Sequence, residues 1–423
     1  MSPRRVLYFY QAGHYPNPRK SGADRVFFVN VNALAKAGYQ VIYVEVGDSG
    51  SPKSGKEDVY ILLEGTENMK HTSGWKYQYD RWVYPVLHPG RNRYSPFLSK
   101  SAGFMIQTLI EKYEPELLFY ENIRSYLLSS KIKTNVKSIV CIHDLDYILN
   151  YGKNLIRVNN SSSKTYIKTL KKIQVKLQYY SEKIWTKQVL KNSDALYVVS
   201  KNDYKSLSSP RTKLFHADCP VTVFPDASQR QIIETKLELQ SENKIKILHV
   251  GRLSASHNRK GVLWFLNECW PKLQLMNSTI DYEIHFIGST ENIEEDMIQY
   301  RDDPKLKFRG FVEDLEQELM GAHFMIVPPG YPTGVRTKIP EAFAWGLPVI
   351  TGVHDANGVG LKYDDSRVII ANSPQEYSEA CIRLINDSKL KREMGKNALK
   401  TWRDDFDLDK VINGTADWIN SSG

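Results

Sequence analysis

GVRTKIPEAFAWGLPVITG, residues 334–352, places a short helix between two glycines and follows it with a strand. Thr337 stands at the N-cap, so Lys338, Ile339 and Pro340 fill the first turn. Backbone N–H groups there have no intrahelical acceptor, and a proline removes no hydrogen bond. Ile339, Ala342 and Phe343 make the buried stripe. Gly346 is placed to end the helix in the left-handed conformation, and Pro348 opens the strand LPVIT. The mouth of the helix carries Arg336 and Lys338 near the positive end of its dipole, and Gly334 before it permits close backbone approach to a ligand. Glu341 lies one turn inside, too far along to be the capping-box acid of Thr337. It can make an i,i+3 contact with Lys338 worth about 0.2–0.5 kcal/mol, or it can accept hydrogen bonds from a vicinal diol such as that of ribose.

Upstream, HVGRLSASHNRKG (residues 249–261) ends a strand at Gly251, continues with Arg252 and opens a helix at Lys260-Gly261. An arginine fork and a lysine point charge projecting from one strand end would converge on an anion such as phosphate. The alternative is an Arg252 paired with a loop carboxylate and a solvated Lys260. The βα rhythm then continues with a helix over 261–273, strands over 282–288 and 306–311, a helix over 314–320 and a strand over 323–327. The N-terminal half opens the same way: residues 4–47 read as strand, Gly/Pro-rich loop, helix, strand. Short apolar strands follow at 116–120, 137–143 and 195–200. Such alternation predicts an α/β protein of two doubly wound, Rossmann-like domains, with ligands held in a cleft at the carboxyl ends of the strands. The expected division is 1–230, 231–400 and a helical tail, 401–423, that crosses back to the first domain, with Trp402 and Trp418 as packing anchors.

The composition is that of a globular chain, 41% apolar and 25% charged over 423 residues. No apolar run approaches the roughly 18 residues of a membrane span, and the five residues after Arg4-Arg5 are too few for a leader. Cys141, Cys219, Cys269 and Cys381 are widely separated, which predicts buried free thiols and no metal site. The net charge of +9 is concentrated: eight lysines face a single acid, Glu182, between Lys164 and Lys191. A local patch of this kind argues against nucleic acid as a partner. Within it Ile167, Leu170, Ile173, Leu177, Tyr180 and Ile184 recur at helical spacing. They read either as a core-facing stripe with a solvated lysine face or as part of a helix attached to an anionic membrane surface.

The order strand-GR, KG, then GxRxKxxEAxAxGxPVI, after an N-terminal half containing ALAKAGYQVIYV, resembles the GT-B glycosyltransferases, most closely family 4. The resemblance spans nearly the whole chain. It implies that Arg252 and Lys260 hold the diphosphate of a nucleotide-sugar donor, a UDP- or GDP-sugar, and that Glu341 binds its ribose. Thr333, Gly334, Val335 and Arg336 would lie along sugar and phosphates, with Lys338 as a further phosphate contact. Many members carry a second glutamate where this chain has Thr333, so the donor sugar is the least determined part.

In the N-terminal half, Gly22 matches the family's first glycine loop, and His14, Arg19 and Lys20 are either acceptor or phosphate contacts or solvated loop residues. His143 matches a histidine that touches the donor sugar in the family. Asp144 beside it could cap the next segment, orient His143 or act as a base, and Glu121 is a weaker candidate of the same kind. Asp226 replaces a usual asparagine and reads as structural. The activity so implied is a metal-independent, retaining transfer of a sugar, of the hexosyltransferase type, to a saccharide or lipid-linked acceptor. It would take place in the cytoplasm or on the inner face of the cell membrane, in surface polysaccharide or glycoconjugate biosynthesis. The alternatives are an inverting GT-B enzyme with Asp144 as base, and a nucleotide- or saccharide-binding pseudoenzyme.

Overall fold

The computed structural model describes residues 3–10, 22–46, 59–63, 100–123, 125–126, 132–159, 161–207, 213–216, 221, 223–238, 244–253, 255–276, 278, 280–289, 297–330, 334–361 and 366–422. His14, Arg19, Lys20, Cys219 and Thr333 lie outside them. The chain divides into two units, residues 1–217 with 412–423, and residues 218–411.

The first unit holds a seven-stranded sheet. Its strands are β1 (Arg4–Tyr10), β2 (Tyr39–Val46), β3 (Val59–Leu63), β4 (Leu117–Tyr120), β5 (Lys137–Ile142), β6 (Ala195–Val198) and β7 (Lys213–His216), in the order β3-β2-β1-β4-β5-β6-β7. Every adjacent pair is parallel; Arg4 stands opposite Tyr39 and Val6 opposite Leu117. Because helices cover a parallel sheet on both faces, its strands are apolar throughout rather than alternating. Leu7, Phe9, Leu118, Val140 and Leu196 enter one core. On β1 and β4, Tyr8 stacks on Phe119 at 5.0 Å. The helices are α1 (Gly22–Lys36), α2 (Lys100–Tyr113), α3 (Asp146–Asn159), α4 (Thr165–Leu190) and α5 (Lys201–Leu207). Gly22, expected in a phosphate loop, is the first residue of α1.

The second unit contains α6 (Ala227–Glu238) and a six-stranded parallel sheet. The strands are β8 (Lys244–Val250), β9 (Asp281–Ile287), β10 (Leu306–Gly310), β11 (Phe324–Val327), β12 (Val349–Thr351) and β13 (Val368–Ile370), in the order β10-β9-β8-β11-β12-β13. This is the doubly wound order of dinucleotide-binding sheets. Residues one apart on a strand enter opposite cores: Phe324 and Ile326 with Phe265 and Trp270, Met325 and Val327 with Phe343 and Trp345. Its other helices are α7 (Ser256–Trp264), which runs through a π turn (Phe265–Cys269) into α8 (Trp270–Gln274), then α9 (Leu315–Met320), α10 (Lys338–Ala344), α11 (Val353–Val359), α12 (Pro374–Asn386) and α13 (Ser388–Thr401). The last helix, α14 (Leu408–Ser422), spans the division at 411/412.

The sequence places the domain division at 230/231 and the start of the tail at 401; the contacts put the divisions at 217/218 and 411/412. The reason is local. Val221, Val223 and Ile233 of α6 pack into the core around Phe343, and Val223 accepts a hydrogen bond from Trp345 Nε1 at 3.2 Å. Trp402 belongs to that same core. Trp418 instead stacks on Phe215 of β7 at 4.7 Å, and Thr415 bonds Tyr197. Asp226 accepts from Ser228 Oγ and Gln229 N, each at 2.8 Å, and so caps α6.

The helix α4 forms, and of its two readings the core-facing stripe does not hold: Leu170, Ile173, Leu177, Tyr180 and Ile184 are exposed and Ile167 is half-buried. The buried face is Val175, Gln178, Ser181, Glu182, Trp185, Thr186 and Leu190. Its polar members are bonded in place: Gln178 donates to Glu182 at 3.1 Å and Asn150 to Glu182 at 3.2 Å. Among the described residues, no helix is long and apolar enough to cross a membrane. Cys141, Cys269 and Cys381 are buried free thiols.

Candidate functional site

In the second unit the strand order reverses between β8 and β11, and the carboxyl ends of strands at such a switch point are where doubly wound sheets hold ligands. There β8 ends in Gly251-Arg252. Gly251 has φ +151°, and a Cβ on it would stand 2.8 Å from Lys338 Nζ and 2.7 Å from Asn258 Nδ2. Only a residue without a side chain lets the ammonium of α10 lie against the end of β8. Lys338 Nζ donates to Asn258 Oδ1 at 2.9 Å, and Asn258 Nδ2 donates to the Arg252 carbonyl at 3.0 Å. One asparagine therefore joins the strand end, α7 and α10.

Burial, and then the neighbouring Arg336 charge, push Lys338 down to about 7 from 10.5, against the opposing pull of Asp355 and Glu341. Arg336 Nε pairs with Asp355 Oδ1 of α11 at 2.9 Å, both groups being largely buried. Burial raises Asp355 despite that partner. His249, on β8, is held neutral by burial and by Lys338. Its Nδ1 donates to the Ile326 carbonyl at 3.1 Å, so Nε2 carries no proton. Two cations with a depressed lysine make a field that an anion would relieve.

α10 starts at Lys338 with Thr337 in the N-cap position, as the sequence indicates, although the Thr337 hydroxyl makes no capping bond. Pro340 sits third in the helix and Glu341 is buried at 3% exposure. At seven residues the helix has about two turns, so positive charge at its start resides in Arg336 and Lys338 more than in the backbone dipole expected from sequence. Gly334 is buried with φ +70°. The Val335 side chain packs against the core, so its backbone is the part available to a ligand. Lys260 lies in the second turn of α7, since that helix begins at Ser256 and not at Gly261. Desolvation lowers its pKa. Arg252 and Lys260 are both exposed.

The first unit has its own cluster at the carboxyl ends of β4 and β5. His143 Nε2 lies 2.7 Å from Glu121 Oε1. Glu121 is fully buried and also accepts from Tyr8 OH and, at 3.1 Å, from Asn30 Nδ2. Burial alone would lower the His143 pKa; Cys141 and Glu121 outweigh it and hold the imidazole well above 6.5. Glu121 itself is raised by desolvation. Asp144 is exposed, and the carboxylate that holds His143 is Glu121. Glu121, Cys141 and His143 place three ligand atoms within 4.8 Å of one another, a grouping that sequence spacing did not reveal. Burial pushes the Cys141 thiol up to about 11. With Tyr8 and Asn30 on Glu121, the group is a hydrogen-bonded cluster around one partly accessible imidazole.

Asn258, Asp355, Tyr8 and Asn30 escaped sequence reading. Each is a polar residue inside an element whose periodicity accounts for it without function.

Residues 244–387 match the family described as Glycosyl transferases group 1. No curated relative matches the chain in sequence. Among solved structures, sucrose-phosphate synthase from Thermosynechococcus elongatus superposes with a TM-score of 0.65 at 16% identity, over 99% of this chain and 98% of that one. A TarM variant from S. aureus, in complex with fondaparinux, alpha-GlcNAc-glycerol and UDP, gives 0.63 at 9% identity, over 99% and 100%. HepE of Anabaena, in complex with UDP and glucose, gives 0.61 at 12% identity, again over 99% and 100%. Residues 244–387 thus match a glycosyl transferase group 1 domain, and the chain has the two-unit α/β fold of the GT-B glycosyltransferases.

Proposed function

We propose that the chain transfers a sugar from a UDP- or GDP-sugar to a hydroxyl of a saccharide or lipid-linked acceptor, with retention of anomeric configuration, in surface polysaccharide or glycoconjugate biosynthesis. The observation that carries this reading is the Lys338–Asn258–Arg252 chain beside the Arg336–Asp355 pair at the switch point of the second sheet. UDP in the TarM and HepE complexes supports the donor class, and alpha-GlcNAc-glycerol supports a saccharide acceptor.

In this reading Lys338, Arg252 and Lys260 stabilise the diphosphate as the bond from its terminal oxygen to the anomeric carbon breaks, with Arg336 adding charge behind them. Glu341 accepts from the ribose hydroxyls. The acceptor oxygen bonds the anomeric carbon on the face the diphosphate leaves, and its proton passes to the departing phosphate oxygen. Because side-chain cations supply the positive field, the transfer needs no divalent ion, and chelator should leave the rate unchanged.

A thermal-shift screen of UDP-, GDP-, ADP- and CMP-sugars tests the donor assignment, with stabilisation by a uridine or guanosine donor expected. Anomeric NMR of the first product then tests stereochemistry. An inverted linkage would replace retention with the Asp144-base mechanism, and binding without transfer or hydrolysis across an acceptor panel would indicate a binding protein.

A further inference from the structure

The outward face of α4 is apolar, while its inward face mixes Val175, Trp185 and Leu190 with polar residues. Tyr166, Leu170, Ile173, Leu177, Tyr180 and Ile184 are 48–63% exposed, while Gln178, Ser181, Glu182 and Thr186 are buried. The six exposed residues recur at alternating steps of four and three, which keeps them in one seam along the helix. From Tyr166 to Ile184 the seam runs about 27 Å at ~1.5 Å per residue. Helical spacing sets Lys172, Lys176, Lys183 and Lys187 along one edge of it. The single acid of the segment, Glu182, is buried and bonded to Gln178 and Asn150. The solvent side therefore offers contiguous apolar surface and only positive charge. A continuous apolar seam at a monomer surface marks an interaction site, whereas scattered apolar residues do not.

Charge complementarity selects the occupant. A second copy would bring two rows of lysines together. Nucleic acid would use the lysines and leave the seam wet. A bilayer surface containing anionic phospholipid satisfies both, since headgroups meet the ammonium ions and acyl chains accept the seam. We propose that α4 lies in the plane of an anionic lipid surface with Tyr166, Leu170, Ile173, Leu177, Tyr180 and Ile184 inserted. The lysine stems reach along the helix so that their charges stay at headgroup level. This rests on α4 alone and is independent of the donor assignment.

The test is co-sedimentation of the full chain with phosphatidylcholine vesicles, with and without phosphatidylglycerol. Wild-type protein should sediment with the anionic vesicles. Leu170→Ser/Ile173→Ser/Leu177→Ser leaves the charge unchanged and should weaken binding by roughly tenfold or more through lost apolar burial. Lys172→Glu/Lys176→Glu/Lys183→Glu should abolish it. The residues replaced by serine are exposed, so that variant should keep the wild-type melting temperature; Lys172 and Lys176 are exposed too, while Lys183 is half-buried with its ammonium 5.8 Å from the Tyr179 ring, so the glutamate variant should lose only a little stability. The emission that Leu177→Trp adds to the wild-type spectrum should shift to the blue on anionic vesicles only. Unchanged sedimentation of the serine variant, or no blue shift in the emission added by Leu177→Trp, would overturn insertion. A wild-type dimer lost in the serine variant would assign the seam to a second copy. Binding to duplex DNA without binding to vesicles would assign the lysines to nucleic acid.

Discussion

At the scale of single residues, Lys338 is a charge kept at a cost. Its pKa near 7 against 10.5 in the unfolded chain means that the unfolded state holds a proton the folded state has released between those values. Stability therefore rises with pH across that window, and below about 7 the folded chain carries the desolvated ammonium. Lys338→Met should raise the melting temperature at neutral and acidic pH and flatten the slope above 7. It should also weaken binding of a nucleotide-sugar by roughly tenfold to a hundredfold, the size of a charge-assisted hydrogen bond. Calorimetry checks both, and a variant that melts lower while binding equally well would contradict the assignment. His143 has the opposite sign. Its folded pKa is raised, so its pairing with Glu121 stabilises fully below the unfolded value and is lost as pH rises through the folded one. Glu121→Gln should move the His143 imidazole titration, followed by NMR, to lower pH. Its destabilisation should be larger in acid than in base.

At the scale of elements, α10 follows sequence closely because its signals are local. Gly346 has φ +64°; Gly346 N bonds Phe343 O at 3.0 Å and Leu347 N bonds Ala342 O at 2.9 Å, the paired bonds of a Schellman stop. Gly346→Ala forces a left-handed alanine whose Cβ meets Ile233 Cγ2 at 3.0 Å, and should cost about 1–2 kcal/mol by denaturant unfolding. Ser373, in the capping box of α12 with Glu376, should cost about 1 kcal/mol on replacement by alanine. The helix α4 shows why periodicity misleads. Ile167 to Ile184 carry the apolar spacing of a core face, yet Gln178 and Glu182 face inward because they satisfy one another and Asn150. Spacing identifies a stripe; which side of the helix meets the sheet depends on long-range partners that spacing does not contain.

At the scale of the molecule, the βα alternation sufficed for two doubly wound units because each strand's apolar run and each helix's stop is encoded within a few residues. The divisions between units were not, since Val223 and Trp418 are placed by partners far along the chain, Trp345 and Phe215. The same holds for the site. Arg252, Lys260, Arg336, Lys338 and Glu341 are candidates that residue type and position already single out. Asn258 and Asp355, which hold Lys338 and Arg336 in place, became visible only when α7 and α11 were brought against α10. Trp418→Ala should lower the stability of the first unit by about 2 kcal/mol, visible by calorimetry, while leaving donor binding by the second unit intact. The central claim is that the switch point of the second sheet binds a nucleoside diphosphate sugar through Lys338 and Arg252. Titration calorimetry of UDP-glucose and GDP-mannose into wild type, Arg252→Ala and Lys338→Met tests it most directly. Saturable binding of one donor by the wild type, weakened at least about tenfold in each variant, is the predicted result; a donor bound equally well by all three proteins would contradict it.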